Sequence, residues 1–76
     1  MFYEPSEKDK KNIDNNFRYH AQKEGQAEKY EEIRAQAKAL AEKLISCCPP
    51  SRELSVAITE LETAVMWANA AIARNE

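Results

Sequence analysis

The sequence predicts an all-α protein, and three observations support this fold class. The chain has 76 residues with a single glycine, Gly25, and three prolines, so few positions interrupt helices. Two long stretches place apolar residues at alternating spacings of three and four, the period of one helix face. Pro49-Pro50 separates these stretches, and proline ends a helix. Together these features predict an antiparallel two-helix hairpin, preceded by a short N-terminal helix or arm.

Residues 1–24 are predicted to form this polar N-terminal arm. Lysines and carboxylates are mixed in its first half, which allows a short helix after Pro5. An irregular stretch follows through Phe17-Arg18-Tyr19-His20. The arm therefore ends in a segment that combines aromatic rings with potential cations.

The remaining residues, 25–76, are predicted to form the hairpin. The first helix covers about residues 26–48, a stretch rich in strong helix formers. The second covers about residues 51–74, with Ser51 placed as N-cap and Glu53 near the positive end of the helix dipole. The apolar positions on the two faces are Tyr30, Ile33, Ala37, Leu40 and Leu44, then Leu54, Ile58, Leu61, Val65, Ala68 and Ile72.

Residues 64–73 predict self-association. They are apolar at nine of ten positions, with Asn69 the exception, and a helix that is apolar all round is buried all round. One partner helix cannot cover such a surface. A chain of this size usually needs a disulfide, a metal or partner subunits, yet Cys47 and Cys48 are adjacent and His20 is the only histidine. We therefore expect an obligate homo-oligomer, without a metal site or other cofactor.

Composition and motifs argue against several function classes. The 11 basic and 13 acidic residues give a net charge of −2, which argues against sequence-independent DNA binding. No stretch reaches the length of a membrane span and no targeting segment is visible, so we expect a cytoplasmic protein. The sequence also lacks a Gly-rich phosphate loop, a Ser/His/Asp set and a dedicated acid pair. These absences favour a protein that binds a small anionic ligand over an enzyme.

Arg34 and Lys38 are the first candidate binding residues. They lie four apart on one helix face, and two neighbouring cations form a reasonable clamp for a phosphate. Glu31 and Glu42 flank them at helical spacing. Ordinary ion pairs within the helix are therefore the alternative interpretation.

Three further candidates each have two interpretations. The Tyr19 ring could stack on a nucleobase beside the cations of the arm, or it could anchor the arm to the core. Asn69 could face a ligand, or it could set the register of an oligomer, as buried asparagines do in coiled coils. Arg74 could bind an anion, or it could complement the negative end of the helix dipole.

Four blocks of the sequence carry a family resemblance. They are Phe17-Arg18-Tyr19-His20, Tyr30-Glu31-Glu32-Ile33-Arg34, Pro50-Ser51-Arg52-Glu53 and Met66-Trp67-Ala68-Asn69-Ala70-Ala71-Ile72-Ala73-Arg74-Asn75. Over roughly residues 17–75 the chain resembles the helical-hairpin domain of bacteriophage anti-CBASS and anti-Thoeris sponges. The last block is long and specific, whereas the other three are short.

The resemblance implies a protein that performs no chemistry on its ligand. Sponges of this family sequester the cyclic nucleotide messengers of bacterial immunity, so that the downstream effector is not triggered. It implies cyclic dinucleotides such as cyclic GMP–AMP as ligands, with cyclic trinucleotides or cyclic ADP-ribose variants as further candidates. It also implies a homo-oligomer, commonly a hexamer, acting in the cytoplasm of the host cell. The chain lacks the insertions of longer anti-Thoeris members, which favours the anti-CBASS branch.

The resemblance also implies roles for individual residues. Tyr19 would stack on a base, and Arg34 would meet the ligand's phosphate or base from a partner helix. Dinucleotide sponges of the family can carry lysine at the latter position, so the charge is kept while its geometry differs. Asn69 falls where the family has a polar residue facing the ligand, and Arg74 and Asn75 match its closing motif.

Two other function classes stay open beside the sponge. One is a structural or regulatory hairpin oligomer that binds a protein partner, in which the polar residues only set register. The other, with less support, is a nucleotide-processing enzyme whose site is shared between subunits.

Overall fold

Three α-helices make up the computed structural model, which describes residues 2–76. They are α1 (Glu7–Asn16), α2 (Gln26–Cys47) and α3 (Arg52–Asn75), and these residues contain no strand. The helices α2 and α3 pack against each other as a hairpin. The predicted all-α class is therefore confirmed.

Local hydrogen bonds, rather than burial, account for α1. The Ser6 hydroxyl accepts from the Asp9 backbone N–H at 3.0 Å, and the Asp9 carboxylate accepts from the Ser6 N–H at 3.2 Å. This reciprocal capping box satisfies two N–H groups that would otherwise lack helical partners. No residue of α1 is buried. The helix is thus a polar element attached to the hairpin by few contacts.

The bounds of α2 follow from its flanking residues. Gly25 precedes the helix with φ of 85°, a left-handed conformation in which any other residue would be strained. At the other end, Cys48 is extended with φ of −116° and ψ of 141°. The residue before a proline favours this region, so Pro49 keeps Cys48 out of the helix and α2 ends at Cys47, two positions before the proline.

The predicted N-cap of α3 is present. The Ser51 hydroxyl accepts from the Leu54 backbone N–H at 3.1 Å, and Glu53 lies in the first turn. Arg74 lies in the last turn, where its charge complements the negative end of the helix dipole. Among residues 2–76, no helix is both long and apolar enough to cross a membrane.

The described part of a single chain has no fully buried apolar core. Within residues 2–76 the buried residue is polar, Gln26, with 2 % of its surface exposed. Met66 and Trp67, in the middle of the apolar run, are 66 % and 65 % exposed. The chain is also flat, with principal extents of 49, 41 and 14 Å. One hairpin therefore leaves much of the apolar surface of α3 in water.

We expect the protein to be an obligate oligomer, because exposed side chains such as Met66 need partners that one chain does not supply. Multi-angle light scattering should give a mass that is a multiple of 8.7 kDa. Met66→Lys should lower that mass, since a charge would enter the contact surface. A folded, stable species of 8.7 kDa at micromolar concentration would contradict the prediction.

Candidate functional site

Arg34 and Lys38 lie together on a groove between α2 and α3. The groove has a volume of about 350 Å³, and the two cations stand on its α2 side, one turn apart. Its other lining residues are mostly apolar: Ala37, Ala41, Ile58, Leu61, Val65 and Met66, with Glu62 as the single carboxylate. We call this surface the cationic groove. An apolar floor with two cations at its edge suits a ligand that has both flat rings and phosphates.

The charges of the cationic groove are only weakly neutralised. An Arg34 Nη1 atom lies 4.0 Å from a Glu31 carboxylate oxygen, and both side chains are well exposed. Such a pair contributes little. Lys38 forms no ion pair with Glu42 or any other residue in the part of the chain that the structure describes. Of the two ion pairs considered from the sequence, one is therefore loose and the other is absent.

Tyr19 lies in the irregular segment between α1 and α2. Its side chain is 87 % exposed, so in a single chain the ring is not packed against the hairpin. In a single chain, Tyr19 therefore does not anchor the arm to the core of the hairpin. The ring is instead available to a ligand or to a second chain.

Neighbours of Tyr19 hold the segment in place through Asn15. The Asn15 amide nitrogen donates to the Arg74 backbone oxygen at 3.0 Å, and an Arg18 Nη2 atom donates to the Asn15 side-chain oxygen at 3.3 Å. The His20 Nε2 atom lies 2.7 Å from the Asn15 backbone oxygen. Because a carbonyl only accepts, Nε2 carries the proton in this contact. Arg18 and His20, two potential cations of the arm, thus bind within their own segment.

Asn69 carries an unsatisfied group. Its side-chain oxygen is buried and has no hydrogen-bond partner among residues 2–76, although the residue as a whole is half-buried. Leaving a buried acceptor unpaired costs roughly 1–3 kcal/mol, so a donor from another protomer or from a ligand is expected there. Both interpretations of Asn69 predict such a donor.

Arg74 lies on a second groove, between α1 and α3. Its guanidinium stands 6.0 Å from the centroid of the Trp67 ring, within the range of a cation–π contact. The groove has a volume of about 240 Å³ and also includes Asn12, Asn15 and Asn16. Of the five predicted binding residues, a single chain therefore brings together only Arg34 and Lys38.

The sequence analysis missed a polar cluster where the arm meets the end of α3. Lys23, Gln26 and Lys29 all donate to Glu76: Lys23 to its backbone oxygen, and Gln26 and Lys29 to its carboxylate. The Lys29 hydrogen bond is the main reason why the pKa of the Glu76 carboxyl lies below its ordinary value of 4.5. No spacing in the sequence reveals these contacts, because they join residues about fifty positions apart.

Metal-binding clusters of His, Cys, Asp and Glu are absent from the described part of the chain. Both cysteines are free, with Cys47 exposed and Cys48 half-buried. The structure thus gives no geometric reason to assign a metal or a thiol nucleophile.

The fold and these grooves define a class, the small helical-hairpin proteins. The family described as Acb2/Tad1, hairpin domain, matches residues 9–73, and the chain belongs to this family. This confirms the resemblance to anti-CBASS and anti-Thoeris sponges. The match begins at residue 9, inside α1, whereas the resemblance in the sequence begins at about residue 17. No curated protein and no solved structure gives a significant match.

Asn69→Leu should separate the two interpretations of that residue. If Asn69 sets register, the change should alter the oligomer mass or raise the melting temperature, because a buried polar group is removed. If Asn69 faces a ligand, assembly should persist while affinity falls. Light scattering, thermal unfolding and ligand titration on one preparation distinguish these results. A variant unchanged in all three properties would contradict both interpretations.

Proposed function

We propose that this chain is a phage-encoded sponge, which binds cyclic nucleotide immune messengers without cleaving them. By sequestering the messenger it would block CBASS defence in the cytoplasm of the host cell. Cyclic dinucleotides such as cyclic GMP–AMP are the proposed ligands, with cyclic trinucleotides as a second group. The single observation that carries this proposal is membership of the Acb2/Tad1 hairpin family over residues 9–73.

The chemistry of the cationic groove supports this choice of ligand. A cyclic dinucleotide carries two phosphates, and Arg34 and Lys38 present two weakly neutralised cations one turn apart. Arginine can bind a phosphate through two parallel hydrogen bonds, whereas lysine acts as a point charge. The remaining wall is mainly aliphatic, so a base can lie against it while its phosphates meet the cations.

Tyr19 supplies the second part of the proposed pocket. Its exposed ring stands in the arm, whereas the cations stand on a rigid helix. We propose that the ring comes from one protomer and the cations from another, within a homo-oligomer that we propose to be a hexamer. The arm could then close over an anion that the groove already holds, with the ring stacked on a base. Asn69 and Arg74 are proposed as further ligand contacts.

The alternative function is a structural or regulatory oligomer that binds a protein partner. The exposed Met66 and Trp67 side chains favour it, because large apolar residues on a surface mark protein contacts. The same surface serves self-association equally well. The two functions therefore differ in whether the purified oligomer takes up a nucleotide.

Incubation with cyclic GMP–AMP tests the proposed function directly. The protein is separated from free nucleotide by size exclusion, then denatured, and the released nucleotide is identified by mass spectrometry. We expect intact cyclic GMP–AMP to be recovered from the protein fraction. Recovery of a hydrolysed or otherwise altered nucleotide would indicate an enzyme. Absence of uptake, with cyclic tri-adenylate tested in parallel, would leave the protein-partner alternative.

Tyr19→Ala and Arg34→Ala should each weaken binding of cyclic GMP–AMP by about ten- to a hundredfold while the oligomer stays intact. Stacking on an aromatic ring contributes roughly 1–3 kcal/mol, and a charge-assisted hydrogen bond is of similar size. Arg34→Lys should lose less, because the charge remains although the planar fork does not. Isothermal titration calorimetry measures each affinity.

The matched control for Arg34→Ala is Arg52→Ala. Arg52 is also an exposed arginine on a helix, but it lies in the first turn of α3, beside the hairpin turn, and does not line the cationic groove. The control should bind like the parent protein. If both Tyr19→Ala and Arg34→Ala also bind like the parent, the pocket lies elsewhere.

A further inference from the structure

The arm that carries Tyr19 is attached to the hairpin on both sides of this residue. On one side, Asn15 donates to the Arg74 backbone oxygen. On the other, Lys23 donates to the Glu76 backbone oxygen. One attachment reaches Arg74 in the last turn of α3 and the other reaches Glu76 just after it, so both ends of the loop that carries Tyr19 are held at the C-terminal end of α3.

The second attachment is built around a buried amide. Gln26 is 2 % exposed, and its side-chain oxygen accepts from the Lys23 backbone N–H at 2.9 Å. Its side-chain nitrogen lies 3.5 Å from the Ile72 backbone oxygen and 3.4 Å from a Glu76 carboxylate oxygen. One side chain thus joins the end of the arm, the start of α2 and the end of α3. The Lys29 ammonium holds the other oxygen of the Glu76 carboxylate.

We propose that a latch, closed by the Glu76 carboxylate, positions the Tyr19 arm for ligand binding. The latch consists of the residues Lys23, Gln26, Lys29 and Glu76. When the latch is closed, the segment 17–25 is held at both ends and the Tyr19 ring has few accessible positions. When the carboxylate is lost, Gln26 and Lys29 lose their contacts to its two oxygens, so the Lys23 end of the segment is held less firmly. Part of the order of the Tyr19 ring must then be restored on binding, at the expense of affinity. This role rests on the proposed function, although the latch itself does not.

The latch depends on the negative charge of the Glu76 carboxylate, which is present at neutral pH. The Lys29 ammonium and the Gln26 amide bind the carboxylate, and the Lys23 ammonium binds the backbone oxygen of the same residue. Glu28 and Glu32 lie beside Lys29 on the neighbouring groove. The pKa of Glu76 is lowered, so this contribution is complete above the ordinary value of 4.5 and is lost as pH falls through the lower, folded value. At neutral pH the latch is closed. Salt weakens it, because Lys29 and Glu76 are partly exposed.

Glu76→Gln tests the latch, because it removes the charge while keeping the shape and the backbone cap of α3. Amide hydrogen exchange across 17–25 should become about threefold faster in low salt, which is the effect of losing one partly exposed ion pair. The difference from the parent protein should shrink in high salt. Glu60→Gln is the matched control: it makes the same change on an exposed glutamate of α3 and should exchange like the parent.

Titration of cyclic GMP–AMP into the same proteins tests the positioning role. Glu76→Gln should bind about threefold more weakly at an unchanged oligomer mass, while Glu60→Gln should bind like the parent. Unchanged exchange in Glu76→Gln would overturn the latch. Faster exchange with unchanged affinity would overturn its positioning role. If the parent takes up no cyclic nucleotide, the proposed function fails, and the exchange data still decide whether the latch exists.

Discussion

The rest of the structure depends on a shortage of apolar partners for α3. This helix is apolar over almost all of 64–73, yet a hairpin offers it only one neighbouring helix. Trp67 therefore remains 65 % exposed, and no apolar side chain in the described residues is fully buried. Apolar burial is the main favourable contribution to folding, so we expect the stability of the hairpin to depend on the oligomer predicted above.

Because burial is scarce within one chain, polar contacts determine how the N-terminal part meets the hairpin. α1 forms through its own capping box, and the arm is held by side chains that bind the end of α3. Gln26 is the centre of these contacts, and among residues 2–76 it is the one that a single chain buries. Hydrogen bonds of this kind are directional, so they define a position for the arm even without a packed core beneath it.

The two parts of the proposed pocket differ in rigidity, and this difference bears on the proposed binding of a cyclic nucleotide. Arg34 and Lys38 are carried on a long helix, so their separation is set before any ligand arrives. Tyr19 is carried on a short irregular segment held at its ends. A preorganised cation pair attracts an anion at little entropic cost, while a tethered ring can adjust to the base that comes with it. Such an arrangement would suit the proposed retention of a ligand.

The sequence by itself determined the elements and their pairing. Helical periodicity, Pro49-Pro50 and Ser51 are local signals, and the structure has α2 and α3 where these signals place them. The i, i+4 spacing likewise brought Arg34 and Lys38 onto one groove. Only the tertiary structure decided that Arg74 lies on a different groove, that Tyr19 is free of the hairpin, and that Glu76 meets Lys29. The physical reason is distance along the chain: helical periodicity relates residues three or four apart, whereas these contacts depend on where the ends of separate elements meet in space.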